Sequence, residues 1–412
     1  MRKLTEEEKI RNEKIALKRF RKRIGRKGKK YNKSNVTAPV YRAYRKNYSY
    51  DIENFCAKNN ISQWGKQQRN VIRIEEKTNL FDNPDKVLKT LLEILYNAKY
   101  HQTFPTLIFN EKTQFGSLYL IDNMCWEIAR KRRWSFHYQN MAPDDIALLN
   151  HLRSFFSSTQ DTEKGYLLNE KVDINRTSTP LATQPYRIKS KQITDMVNEA
   201  VRENADPNFQ LGPEAYQAIS STIGEHFDNI LLHAPDSEFG YLCGYYDKTR
   251  KEISILIFNF GKSIADTLTE TALPSEIKKE VDTVIENHTK KKYFGLAGTF
   301  TEENALTLLA LQEGISSRLK YDKTRGHGIM DFIEHCFDLT NKTKISLISG
   351  NTAIKIDDKY SIQKKFFIDR VRRILAFNKE ADLLIKPDSD YVKKMNVFFP
   401  GFIIETIIPL GV

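Results

Sequence analysis

A predicted helix of about 212–234 carries three side chains that could take part in chemistry. They are Glu225, Asn229 and His233, spaced at intervals of four residues. On an α-helix this spacing places them on one face, with a drift of about 40° per step. A carboxylate and an amide on one stripe of a buried helix need partners, because burying polar groups without hydrogen bonds is costly. The stripe is therefore either a binding face or an ordinary amphipathic helix with chance spacing.

A second polar cluster stands where a predicted strand ends. The segment 252–258 reads as a strand, and Asn259, Gly261 and Ser263 follow it directly. Glycine lets the backbone approach another group closely, so this turn is a candidate contact for a ligand. The alternative is a plain strand-end turn built from Asn and Gly.

A third motif, Arg325-Gly326-His-Gly328, opens a predicted helix. Over 60 residues separate it from the second motif, and Ser317 and Arg318 lie near the end of that stretch. A lone Gly-x-Gly before a helix is a weak signal when it is taken alone.

In this order, over residues 190–412, the motifs resemble the nucleotide pocket of the GHKL ATPases. This superfamily includes gyrase-type topoisomerases, heat-shock chaperones, histidine kinases, mismatch-repair proteins and anti-sigma kinases. The resemblance implies an α/β fold of the Bergerat sandwich type that binds ATP and Mg²⁺. It implies that Glu225 is the general base, that Asn229 ligates Mg²⁺ and that Asp228 belongs to the cofactor site.

The resemblance also assigns the remaining cofactor contacts. The adenine would meet Asn259, Gly261 and Ser263, and a mobile lid at about 266–325 would close over the nucleotide. The phosphates would lie at a helix N-terminus, where backbone N–H groups and the helix dipole favour anions. The residues expected there are Ser317, Arg318, Arg325, Gly326 and Gly328. A rigid helical insertion is the alternative to a hinged lid.

Three positions depart from the family pattern. Asn259 stands where the family has an Asp that accepts a hydrogen bond from adenine, Ser263 stands at the second Gly, and Phe402 replaces a Thr of the closing strand. An Asn still offers a carbonyl oxygen, but it carries no charge. Adenine recognition therefore turns on Asn259.

Three functions remain open for such a protein. The first is an ATPase that acts as a nucleotide-gated switch on a protein or nucleic-acid partner. The second is an anti-sigma-like serine/threonine protein kinase, and the third is an adapter that does not hydrolyse ATP. Because the sequence stops at Val412, straight after the closing strand, we expect no gyrase-type transducer domain. The oligomeric state is left open.

The remaining elements outline the domains. Segments 85–96 and 122–132 are helical by period, and 104–110 and 117–121 read as short strands, which predicts a small α/β domain over 51–160. The order faintly resembles STAS-type domains. A polar segment, 161–189, is predicted as a linker to the ATP-binding domain of 190–412.

Within that domain, a hairpin over 344–356 with its turn at Gly350-Asn351 is expected. It is followed by an insertion at about 357–396 that contains a basic helix over 361–377. A last strand runs over 401–409.

The charge is concentrated at the N-terminus. The chain carries a net charge of +13, and residues 1–30 hold 14 Lys/Arg against 4 Glu. We predict a helix over 6–24 within a basic arm of 1–50. The cations and tyrosines of the arm, up to residue 46, favour binding to nucleic acid. A solvated tail, docking on an acidic protein partner and an anionic membrane surface are the alternatives.

Composition bears on the cellular compartment in which the protein is expected. The longest apolar runs fall short of the roughly 18–20 residues of a membrane span, and the first residues lack the apolar core of a secretory signal. A cytoplasmic protein is expected. The four cysteines lie far apart without a CxxC pair, so buried thiols are predicted rather than disulfides or a zinc site.

Overall fold

The structure is a computed structural model and describes residues 50–61, 71–74, 78–100, 106–109, 113–132, 137–141, 157–162, 165–173, 185–204, 207–233, 239–270, 273–289, 300–315, 328–368 and 370–410. The chain divides into two compact units, Met1–Asn47 and Tyr48–Val412. The predicted helix over 6–24 and the basic arm up to residue 46 lie outside the described residues. Both predicted domains, 51–160 and 190–412, fall within the second compact unit.

The described elements follow one another in a mixed α/β order. They are α1 (Tyr50–Lys58), β1 (Val71–Ile74), α2 (Pro84–Tyr100), β2 (Thr106–Phe109), α3 (Phe115–Arg132), β3 (His137–Gln139), β4 (Ser157–Thr162), β5 (Gly165–Asp173), α4 (Pro185–Asn204), α5 (Pro213–His233), β6 (Phe239–Asp247), β7 (Glu252–Asn259), α6 (Ile264–Glu270), α7 (Ser275–Thr289), α8 (Glu302–Leu309), α9 (Gly328–Leu339), β8 (Lys344–Ile356), β9 (Gln363–Phe367), β10 (Arg370–Ile374) and β11 (Val392–Pro409). None of these helices combines the length and apolar character that crossing a membrane requires.

An antiparallel sheet of six strands forms the centre of the second unit, in the order β4-β5-β6-β7-β11-β8. Strand β7 is central and pairs with β6 from Gly240↔Asn259 onward and with β11 from Phe402↔Asn259 onward. The prediction of a linker over 161–189 is wrong for Gly165–Asp173, which is β5, and for 185–189, which is the start of α4. Because the segment of β5 is polar, its composition did not indicate a strand. Its place in the sheet is set by pairing with β6.

Alternating side chains of β7 serve two hydrophobic cores. Ile253, Ile255 and Ile257 belong to the core under α4, α5, α7, α8 and α9. Leu256 and Phe258 belong to the opposite core, which α1, α2 and α3 share. Because successive strand residues point to opposite faces, one apolar strand supports both layers.

The layer on the second face, here called the N-terminal layer, comprises residues 50–141 as described. Its strands β1, β2 and β3 form a parallel sheet in that order, and α2 and α3 connect them. Parallel neighbours joined by helices are the βαβ arrangement that the alternating pattern predicts. Helices α1 and α2 pack on β11, and α3 packs on β7.

Three predictions about local structure are wrong. The segment 117–121 lies within α3, because its apolar side chains continue at helical spacing to the buried Cys125 and Ile128. The segment 344–356 is one strand, β8, rather than a hairpin; Gly350 has φ +57 within it. Instead of a helix over 361–377, strands β9 and β10 form an antiparallel hairpin.

Two other predictions are confirmed. The segments 85–96 and 122–132 are helical, and both lie within longer helices. All four cysteines are buried and free of disulfide bonds.

Candidate functional site

The elements that carry the three motifs meet on one face of the six-stranded sheet. Helix α5 packs against α9 and against strands β6 and β7. Ile219 and Ile223 of α5, Ile257 of β7 and Met330 of α9 share one core. Helix α5, which carries Glu225, is therefore a neighbour both of strand β7 and of helix α9, which begins at Gly328.

Helix α5 positions the predicted catalytic and metal-binding residues. Its second and third turns bury Ile219, Thr222 and Ile223, and Glu225 is half-buried on the turn that follows. The helix continues through Asp228 and Asn229 to His233, so the predicted spacing on one helix is confirmed. The side chains of 226–233 lie outside the described residues.

Asn259 closes β7 as a buried polar residue, only 2% exposed. Its neighbours across the sheet are Gly240 and Phe402. Its Nδ2 donates to the carbonyl oxygen of Phe260 at 3.1 Å, which fixes the orientation of the amide. The Oδ1 atom is buried and has no hydrogen-bond partner. Such orphaned acceptors are uncommon in folded proteins and call for an explanation.

The turn after Asn259 is held against the closing strand β11. The Gly261 N–H donates to the carbonyl oxygen of Pro400 at 3.2 Å. Gly401 has φ +104, and a Cβ on it would lie 2.2 Å from the carbonyl oxygen of Asn259. Only glycine combines this conformation with such a close approach.

Ser263 has a structural role that the sequence analysis did not identify. Its Oγ accepts from the Asp266 N–H at 3.0 Å, and its own N–H donates to Asp266 Oδ2 at 3.3 Å. This reciprocal pair is a capping box with Asp in the third position, and it begins α6. Because the hydroxyl is already engaged, the cap accounts for Ser263 without any ligand.

A second serine next to the turn, Ser349, was missed altogether. Its Oγ donates to the Gly401 carbonyl oxygen at 2.7 Å and accepts from the Ile264 N–H at 2.8 Å. It is fully buried and links β8, β11 and the start of α6. No local signal marks this serine, because its partners lie 85 and 52 residues away.

The described part of the predicted lid after Phe300 is a packed element. Glu303 accepts from the Asn351 N–H at 2.9 Å through Oε1, and burial raises the pKa of this carboxyl group above its ordinary value. The Asn304 Nδ2 donates to Thr352 Oγ1 at 2.9 Å. These bonds fasten α8 to β8, which favours the rigid alternative for Glu302–Leu309.

The predicted phosphate contacts are only partly described. Gly328 begins α9, whereas Ser317, Arg318, Arg325 and Gly326 lie outside the described residues. Helix α9 is held from the hairpin side by Arg373. Its Nη1 bonds to Glu334 Oε2 at 2.7 Å and to Asp331 Oδ1 at 2.5 Å, and its Nε bonds to Glu313 Oε1 at 3.1 Å.

Comparisons with protein-family models, with curated proteins and with solved structures found no match to this chain. The description of its class therefore rests on its fold alone. It is a mixed α/β protein in which helix α5 packs on helix α9 and on strand β7, on one face of a six-stranded antiparallel sheet.

Proposed function

We propose that this protein binds ATP with Mg²⁺ in a pocket of the GHKL type and acts as a nucleotide-gated switch on a protein or nucleic-acid partner. The observation that carries the proposal is the buried, unpaired Oδ1 of Asn259 at the end of β7. The amino group of adenine would supply the N–H donor that this oxygen lacks. Guanine presents a carbonyl oxygen at the corresponding ring position, and two acceptors repel each other.

The arrangement of the elements supports the same proposal. Helix α5, strand β7, helix α9 and strand β11 occur in the order that the resemblance implies, and α5 packs on both α9 and β7. In such a pocket Glu225 would act as the general base, and Asn229 would ligate Mg²⁺. The phosphates would lie at the N-terminus of α9, next to Gly328.

Nucleotide binding measured by calorimetry tests the role of Asn259. The wild type should bind Mg·ATP more tightly than Mg·GTP. The loss of one hydrogen bond in Asn259→Ala should weaken ATP binding about tenfold and bring the two affinities together. Asn351→Ala is the matched control, because this asparagine of the same sheet donates from Nδ2 to Met395 O instead. Equal affinity of the wild type for ATP and GTP would contradict the assignment.

Turnover separates the proposed switch from the other functions. Glu225→Ala should retain bound ATP and abolish hydrolysis, and Asn229→Ala should weaken Mg²⁺-dependent binding. With ATP labelled at the γ-phosphate, release of free phosphate supports the switch, whereas label on a protein partner supports a kinase. Binding without turnover points to an adapter, and the absence of ATP binding rejects all three.

A further inference from the structure

Strand β11 leaves its regular pairing with β8 between Lys394 and Phe399 and again before Phe402. In this irregular segment, side chains of the N-terminal layer take the place of a neighbouring strand. Asp85, in the first turn of α2, accepts from the Asn396 N–H at 2.9 Å and from the Val397 N–H at 3.0 Å through Oδ1. The carboxylate thus holds two consecutive peptide groups.

Asn59, just after α1, holds the next residue of the segment. Its Oδ1 accepts from the Phe398 N–H at 2.8 Å, and its Nδ2 donates to the Phe398 carbonyl oxygen at 2.8 Å. This reciprocal pair is the pattern that an adjacent antiparallel strand would make. The same Nδ2 also donates to the Phe55 carbonyl oxygen at 2.8 Å, which fixes the amide to its own helix.

The other end of the segment touches the turn of the candidate site. The Pro400 carbonyl oxygen accepts from the Gly261 N–H, and Gly401 lies against the Asn259 carbonyl group. The segment 396–401 is therefore bound by the N-terminal layer at one end and by the Asn259 turn at the other. Six residues of extended chain separate the two sets of contacts by no more than about 20 Å.

An aromatic cluster makes the same connection through packing. Phe260, directly after Asn259, lies 6.3 Å from Phe55 of α1 and 5.1 Å from Phe399 of β11, measured between ring centroids. Phe55 and Phe399 lie 6.0 Å apart, and all three rings are buried. Because such rings are closely packed, a shift of one ring is transmitted to the others.

We propose that Asn59 and Asp85 are positioning residues that set the location of the Asn259 amide through the irregular segment of β11, and thereby determine base selectivity. The part of the inference that concerns the base rests on the proposed function; the positioning of the turn does not. The N-terminal layer thus acts on the candidate pocket through β11.

Hydrogen exchange of the Gly261 amide tests the positioning without any nucleotide. In Asn59→Ala and in Asp85→Ala, exchange of this amide should rise about tenfold or more, because the carbonyl group that accepts its hydrogen bond is less firmly held. Asn97→Ala is the matched control. The Asn97 Nδ2 donates to the carbonyl oxygen of Glu93, four positions earlier, at 2.8 Å, just as the Asn59 Nδ2 donates to that of Phe55. Unchanged exchange at Gly261 in both test variants overturns the proposal.

Ligand selectivity then separates positioning from a general loss of stability. The ratio of the GTP and ATP dissociation constants should fall about fivefold in both test variants, while affinity for magnesium tripolyphosphate, which has no base, stays unchanged. Equal weakening for ATP, GTP and tripolyphosphate would overturn the proposal in favour of a merely structural role. If the wild type binds no nucleotide, the proposed function fails, and hydrogen exchange alone still decides whether these residues position the turn.

Discussion

Glu405, in the middle of β11, is a fully buried carboxyl group between the sheet and the N-terminal layer. Its Oε1 accepts from the Gly116 N–H at 3.0 Å, in the first turn of α3, and its Oε2 has no hydrogen-bond partner. A Cβ on Gly116 would lie 2.0 Å from Oε1, so the glycine is what lets the carboxyl group reach the helix. Burial raises the pKa of Glu405 from 4.5 to about 8.

This raised pKa makes the stability of the fold depend on pH. Below pH 4.5 both the folded and the unfolded state hold the proton. Between pH 4.5 and about 8 only the unfolded state ionises, so the free energy of unfolding falls as the pH rises. The difference between the two pKa values corresponds to about 5 kcal/mol, and above pH 8 no further loss from this group follows.

Glu405→Gln removes this titration and keeps an oxygen that can accept from the Gly116 N–H. Relative to the wild type, the variant should gain stability progressively from pH 5 to pH 8, by several kcal/mol in all. Urea denaturation at four pH values in this range measures the gain. Glu286→Gln on α7 controls for the loss of one exposed charge. A difference between wild type and Glu405→Gln that stays constant with pH would refute the reasoning.

Three further perturbations have defined outcomes. Burial lowers the pKa of His288 below its ordinary value of 6.5, so the unfolded state takes up the proton first as the pH falls. His288→Gln should therefore lose less stability than the wild type in urea denaturation between pH 7 and pH 5, and parallel losses would contradict this. Glu280→Gln should lower the free energy of unfolding by about 3–5 kcal/mol in the same assay at pH 7, because it leaves the buried guanidinium of Arg372 without its carboxylate. A change near zero would exclude a buried ion pair. Gly401→Ala should cost about 1–3 kcal/mol or more through its positive φ and lower the melting temperature. Gly212→Ala, where an added Cβ meets nothing within 4 Å, is its control, and equal effects would remove the steric argument.

Local sequence patterns predicted the elements that carry the candidate site. The helix with Glu225 and Asn229 and the strand before Asn259 were expected within a residue or so of their observed bounds. The closing strand was expected to end at Pro409, as it does, but it begins at Val392 rather than at 401, within the predicted insertion. These elements have strong periodic or continuous apolar patterns, which depend on neighbours in the chain. Their order was therefore readable before their packing was known.

Where the pattern was ambiguous, the same reasoning failed. The short apolar run 117–121 fits a strand or a buried helix, and only its continuation into α3 decides for the helix. The basic segment 361–377 has the composition of a helix, yet pairing of Phe366 with Val371 and of Lys365 with Arg372 makes it a hairpin. Pairing between the two neighbouring strands overrode the helical propensity of this segment.

The amino-acid sequence by itself determined which residues were candidates for chemistry and the order of the elements that carry them. Only the tertiary structure decided how these residues are held. The unpaired Oδ1 of Asn259, the engagement of Ser349 and the contact of Glu405 with Gly116 all depend on atoms brought together from distant parts of the chain. Glu405 and Gly116 are 289 residues apart in sequence. Hydrogen bonds and burial are set by spatial neighbours, and no local pattern encodes a neighbour that far away.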